Sequence, residues 1–181
     1  MSAPALMTAD ELLRDQPPDK STELVRGRMI VREPPSAMHG RYSATLCMFV
    51  LQYARAARLG VVFGQDTGFH IASDPDTVLA PDLAFISAER VALIPAVGYA
   101  RMVPDLVAEI ISPGDRRVAV VRKVKKWLAA GVRVVWVIDP VRVEAKVYRS
   151  DGRERVVSAD GELTGDEVLP GFRCPLAAVF E

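Results

Sequence analysis

Apolar positions in this chain follow two spacings, one helical and one of short unbroken runs. Between residues 38 and 59, Leu46, Phe49, Val50, Tyr53 and Ala57 recur at helical spacing, predicting one long amphipathic helix that Gly60 stops. Residues 83–86, 106–111 and 134–138 are short apolar runs of the kind found in buried strands. A basic segment, residues 116–130, lies between the last two and ends at Gly131. Strand, helix and strand of these lengths predict a right-handed βαβ crossover.

Turn chemistry supplies the remaining elements. Thr8 with Glu11 three positions on is a capping box opening a helix over residues 8–14, which Pro17-Pro18 ends. Arg26-Gly27 joins a hairpin over residues 23–31, and Asp151-Gly152 joins another whose strands are 143–148 and 153–157. Residues 61–63 and 68–72 read as strands around a turn with Gln65 and Asp66. Residues 73–77 read as a loop, and 87–102 as an irregular connection. The tail, residues 163–180, has turn signals without a periodicity. The expected architecture is α/β, a mixed central sheet flanked by helices in a single domain, with a flexible start over residues 1–7.

Composition narrows the classes. At 181 residues the chain fits one self-sufficient core, and 50% hydrophobic with 25% charged residues is ordinary for a soluble domain. Twenty-three basic and 23 acidic residues cancel, so no global field draws the chain to nucleic acid or membrane. Cys47 and Cys174 have no metal-ligand spacing, and a buried free thiol is the expectation for Cys47. No secretory signal and no run of ~20 apolar residues is legible, so the expected address is the cytoplasm.

Two acids stand out against this background. Asp82 borders the run 83–86, and Glu109 lies inside 106–111, where an unpaired carboxylate is costly to bury. A divalent cation would satisfy both. Mg²⁺ or Mn²⁺ takes oxygen ligands and one or two carboxylates, which Asp82 and Glu109 supply, with the carbonyl of Ile110 as a further ligand. On spacing alone Asp82 reads first as a turn acid after Pro81. Glu109 demands more explanation.

On the basic helix, Val121, Val124, Trp127 and Leu128 define the expected buried stripe. Lys123 and Lys125 fall on its opposite margins, and periodicity does not choose which of them reaches the acids. Arg122 and Lys126 point outward. From Arg116 to Arg133 there are seven basic residues and no acid, a local cluster able to track phosphates, with Arg116, Arg117 and Lys126 as candidate DNA contacts.

Several motifs together resemble the Uma2 family, proteins classed with restriction endonucleases. They are Glu-Leu-Val-Arg-Gly at 23–27, His39 opening the long helix, Pro81-Asp82, the run from Pro104 through Glu109 to Pro113, Trp127 to Val132, and Val135 to Pro140. The resemblance implies a restriction-endonuclease-like fold related to the PD-(D/E)XK nucleases and a Mg²⁺- or Mn²⁺-dependent cut in DNA. It assigns Asp82 and Glu109 to the metal, Lys123 to the lysine that replaces the one absent at Ile111, and Glu23 to a further acid of the site. His39 matches a frequent family position, though a lone His before a helix reads equally as a capping or packing residue. Family members often carry an acid four residues before the helix lysine, where this chain has Ala119. A homodimer is expected, and cutting both strands of a duplex also favours two sites, so a dimer alone would not decide function; no membrane and no organic cofactor are expected. Two other classes fit the same residues: a noncatalytic nucleic-acid- or protein-binding module on a nuclease scaffold, and a self-associating structural protein.

Overall fold

The computed structural model describes residues 6–181. A six-stranded mixed sheet forms its centre, built from β3 (Gly60–Gly64), β6 (Leu83–Ser87), β7 (Leu106–Ile110), β8 (Val134–Asp139), β9 (Glu144–Arg149) and β10 (Glu154–Val157). Their order is β10-β9-β8-β7-β6-β3. β7 and β8 run parallel, joined through α3 (Arg117–Ala130), and the other pairs are antiparallel. Every residue of β6 and β7 is buried, as expected for strands covered on both faces.

Side-chain alternation sends the two faces into different cores. Leu83, Phe85, Leu106, Ala108, Trp136 and Ile138 pack beneath α2 (Ala37–Ala56) through Leu46, Val50 and Ala54. Ala84, Ile86, Val107 and Val135 meet Val124 and Trp127 of α3 on the other side. Each Val, Leu, Ile or Phe among them, fully withdrawn from water, contributes about 1.5–3 kcal/mol.

A second, four-stranded antiparallel sheet stands beside the first in the order β2-β1-β5-β4. Its strands are β1 (Ser21–Val25), β2 (Arg28–Arg32), β4 (Phe69–Ala72) and β5 (Thr77–Leu79), and α1 (Ala9–Asp15) packs on it through Leu12. Thr8 caps α1 in the capping box with Glu11. Arg26 and Gly27, both at positive φ, form the two-residue turn between β1 and β2. That turn fixes the hairpin register, Glu23 opposite Ile30.

The structure departs from the sequence expectations at six places. The long helix ends at Ala56 rather than at Gly60, with Arg58 taking the left-handed turn. Gly60 instead opens β3, where a Cβ would lie 2.1 Å from the Ile86 carbonyl oxygen. Residues 77–79 form β5, so Thr77 leaves the expected loop and Val78 and Leu79 join a strand too short for its alternation to show. β3 and β4 belong to different sheets although only a turn separates them. The tail forms the hairpin β11 (Glu162–Gly165) and β12 (Leu169–Pro175), whose Leu163, Leu169 and Cys174 close one core. Val121 is 40% exposed and Val120 takes its place in the buried stripe. Cys47 is half-buried and free. The expectation of a flexible start falls partly outside the described residues, but Met7 donates its amide to the Gly27 carbonyl at 2.9 Å. Among the described residues no helix is long and apolar enough to cross a membrane.

Candidate active site

The two sheets meet at a cleft of about 580 Å³ whose walls include Glu23, Arg32, His39, Asp82, Glu109, Ser112, Asp115 and Lys123. Glu23, His39, Asp82, Glu109 and Lys123, singled out from the sequence, therefore come together from β1, α2, the start of β6, β7 and α3.

Main-chain and side-chain partners fix each carboxylate. Asp82 precedes β6, and its amide donates to the Ala108 carbonyl at 3.0 Å. Its Oδ2 accepts the amide of Ile110 at 2.6 Å, so it is anchored on the residue next to Glu109. Its Oδ1 lies 2.9 Å from His39 Nε2, and His39 Nδ1 lies 2.9 Å from Ser112 Oγ. His39 reaches this position because Ser36 caps α2 and places it in the helix's first turn. The hydrogen bond to Asp82 raises the imidazole pKa above its ordinary value, against the opposing effect of burial.

Glu109 projects from the middle of β7 toward α3. Trp127 Nε1 donates to its Oε1 at 2.8 Å, and Lys123 Nζ lies 2.9 Å from its Oε2. The same ammonium lies 2.8 Å from Glu23 Oε1 and donates to the Ala80 carbonyl at 2.9 Å. Lys123 thus has an acceptor for each of its three donors, which is what burying an ammonium requires. Glu23 also takes Arg32 Nη2 at 3.1 Å on Oε2 and the amide of Ala80 at 3.1 Å on Oε1. This closes the choice left open by periodicity: Lys123 faces the acids, with its side chain 13% exposed, and Lys125 faces solvent.

Charge in the cleft is unbalanced. Glu23, Asp82 and Glu109 face Lys123 and Arg32, while His39 leans on Asp82. Burial, with the Asp82 and Glu23 carboxylates adding to it, pushes Glu109 up to about 7 even though Lys123 opposes the rise. Lys123, held by two carboxylates, has its pKa raised despite burial, so the ammonium stays protonated. Glu23 is held below the usual carboxylate range: burial acts to raise it, and Lys123 and Arg32 together outweigh that.

The donor set fits a hard divalent cation only in a sparse form. Among the described residues no three His, Cys, Asp or Glu side chains form a ready cage for a metal ion. Two adjoining carboxylates and a main-chain carbonyl are nonetheless what Mg²⁺ usually takes from a protein, with water completing its octahedron. The surplus of negative charge around Glu109 is the other half of the fit.

The candidate phosphate contacts are spread along α3. Arg116 and Arg117 are exposed where the helix begins, Arg117 Nη2 lying 3.9 Å from Asp139 Oδ2, and Lys126 is half-buried. None of the three lines the cleft.

Sequence reasoning missed Arg32, Ser112 and the indole of Trp127 as members of the site. Two of these were recoverable. The hairpin register puts Arg32 diagonal to Glu23, within reach of a long side chain. A buried tryptophan usually finds an acceptor for its N–H, and for Trp127 it is Glu109, whereas the indole N–H of Trp136 is buried without a partner among the described residues. Ser112 had no such signal, because only the fold brings it to His39.

The sequence matches the Uma2 family, described as "Putative restriction endonuclease", over residues 9–177. No curated protein matches it. Among solved structures it is similar to a protein of Anabaena variabilis ATCC 29413, described as a putative nuclease belonging to DUF820. The two share 20% identity with a TM-score of 0.81, over 96% of this chain and 97% of that one. At this identity the likeness speaks for the fold alone, a mixed α/β architecture in one domain. With nearly the whole length matched, the chain belongs to the Uma2 family.

Proposed function

We propose that this protein is a Mg²⁺- or Mn²⁺-dependent endonuclease that hydrolyses phosphodiester bonds of DNA. The observation that carries the reading is the meeting of Asp82, Glu109 and Lys123 in one cleft, with the surplus carboxylate charge a cation would offset. The family description and the nuclease-like fold support the same class.

Asp82 and Glu109 would hold the ion, with the Ile110 carbonyl beside them. A divalent ion in such a site lowers the pKa of water and polarises phosphate oxygens. The protein's own groups do the rest. His39 and the Ile110 amide hold both oxygens of Asp82 in place. Lys123 brings a fixed positive charge to where charge develops on the phosphate, where preorganised electrostatics count most. Arg32 keeps Glu23 ionised, so Glu23 keeps Lys123 in position. Arg116, Arg117 and Lys126 would take flanking phosphates.

Plasmid nicking tests this directly. Wild type should convert supercoiled plasmid to open circle with Mg²⁺ or Mn²⁺ and not with chelator, and Asp82→Ala and Glu109→Ala should not. Equal nicking by all three proteins removes the site assignment.

A second reading, a binding module without catalysis, rests on Ala119 and on Lys123 having all its donors engaged by Glu23, Glu109 and Ala80. Calorimetric titration with Mn²⁺ separates the two, because heat that is lost in Asp82→Ala belongs to the enzyme. A homodimer accompanies the first reading, and sedimentation velocity reads it.

A further inference from the structure

A second cleft, about 890 Å³, adjoins the first and shares Ser21, Pro34, Pro35 and Asp66 with it. Its chemistry is the reverse of what a phosphate chain needs. Among the described residues lining it, Lys20 is the one cation, and Lys20 is already paired with Glu33. Asp19 and Asp66 stand in the same walls, so a polyanion would be repelled. The apolar part includes aromatic rings held by close packing. Phe63 is set edge-on against Phe69, ring centres 5.5 Å apart at 89°. The ring of Tyr99 lies on the backbone of Gly68, where any Cβ would sit 2.5 Å from it. Ser21 Oγ donates to Asp66 Oδ1 at 2.5 Å, leaving Oδ2 without a hydrogen bond among the described residues.

Aromatic and proline walls with carboxylate acceptors and no free cation suit a flat, uncharged ring carrying N–H donors. A nucleobase has that character, stacking through its π-face and donating through its amino and imino groups. The shared wall matters as much as the lining, since it joins this cleft to the one in which a scissile phosphate would lie. We propose that the second cleft receives a nucleobase turned out of its strand next to the phosphate over Asp82 and Glu109. The preferred substrate is then DNA with an unpaired nucleotide at the cut, because a base held in a duplex must first be unstacked. The inference rests on the nuclease reading, and the test separates the two.

Single-stranded, bulged and fully paired oligonucleotides carrying 2-aminopurine at one fixed position, paired only in the last, serve as probes of the full chain. Fluorescence is read with Ca²⁺ and cleavage with Mn²⁺. Stacking predicts a fluorescence drop on binding and unpaired substrates cut about tenfold faster or more than paired ones. Tyr99→Leu should lower binding and cutting of the unpaired probes by about tenfold while leaving the paired duplex unchanged. Tyr99 is partly buried, so Thr67→Trp, which fills the cleft from its wall without emptying the core, is the second variant and should act alike. If fluorescence falls, and Thr67→Trp abolishes that fall, while no DNA is cut, the base site stands and the nuclease reading fails. If DNA is cut, but paired and unpaired alike, with fluorescence and rates untouched by Thr67→Trp, the base site is overturned and the nuclease reading stands.

Discussion

The chain contains two histidines, and each faces an aspartate with a serine at its ring. His70 Nε2 lies 3.3 Å from Asp76 Oδ1 and 3.5 Å from Ser73 Oγ, both long and both on the same nitrogen. Asp76 Oδ2 accepts the amide of Ala9 at 2.7 Å, tying α1 to the turn between β4 and β5. That amide is the main cause holding Asp76 below its ordinary pKa. His39 uses separate nitrogens, each at 2.9 Å, for Asp82 and Ser112. Asp82 too accepts a main-chain amide, yet it opens onto a cleft with Glu109, Glu23 and Lys123. The same three residue types make a latch in one place and a candidate site in the other. What differs is the company of the carboxylate: both aspartates have a partner on each oxygen, but Asp76 has no second carboxylate beside it among its partners, whereas Asp82 belongs to a group with more negative charge than positive.

The largest way to break that comparison is to remove the cation that holds the site together. Lys123→Met leaves Glu23 and Glu109 buried without it, and urea unfolding should show a loss of about 3–5 kcal/mol together with the end of nicking. A loss under about 1 kcal/mol would mean that Lys123 is not the hub of the cluster.

The two aspartates should then part company. Asp76→Ala should cost about 1.5–3 kcal/mol, the worth of hydrogen bonds to a charged group, and leave nicking per folded molecule unchanged. Asp82→Asn keeps an acceptor for Ile110 and should unfold close to wild type, while nicking falls by about a hundredfold as a metal contact is lost. Equal effects on both readouts in both variants would erase the distinction between latch and site.

Glu109 gives the pH dependence. Its folded pKa, about 7, stands above the carboxylate reference of 4.5, so the folded state holds a proton that the unfolded state releases. Without metal, stability should therefore decline as pH rises from about 4.5 to about 7 and level off above, and Glu109→Gln should flatten that slope. With Mg²⁺ the ionised form is favoured, so nicking should rise through the same window and the stability slope should shrink. Thermal melts at pH 5 and pH 8, with and without Mg²⁺, check both signs.

The serines give the smallest effect. Ser112→Ala removes a well-made bond to His39 and should cost about 1 kcal/mol, whereas Ser73→Ala removes a long one and should cost nothing measurable.

Much of this fold was legible because its signals are local. The capping box at Thr8, the turn at Arg26-Gly27, the αL stop at Gly131 and the buried runs of β7 and β8 each depend on neighbours in sequence. β5 and the β11–β12 hairpin were not legible: three residues cannot show alternation, and a tail closing a core need not be regular. Gly60 misled because a glycine required by close backbone approach looks the same in sequence as one ending a helix. For the site, Glu109 declared itself as an acid inside an apolar strand, while Glu23, His39 and Lys123 were marked by family resemblance. Periodicity could not separate Lys123 from Lys125, since both flank the stripe and only the position of β1 decides which meets an acid.

The central claim is that Asp82 and Glu109 share one divalent ion. Crystals grown with Mn²⁺ and measured for its anomalous scattering test it most directly. The account predicts a peak about 2.0–2.2 Å from a carboxylate oxygen of each residue, lost in Asp82→Ala. A cleft without that peak at saturating Mn²⁺, or a peak bound by neither acid, would contradict it.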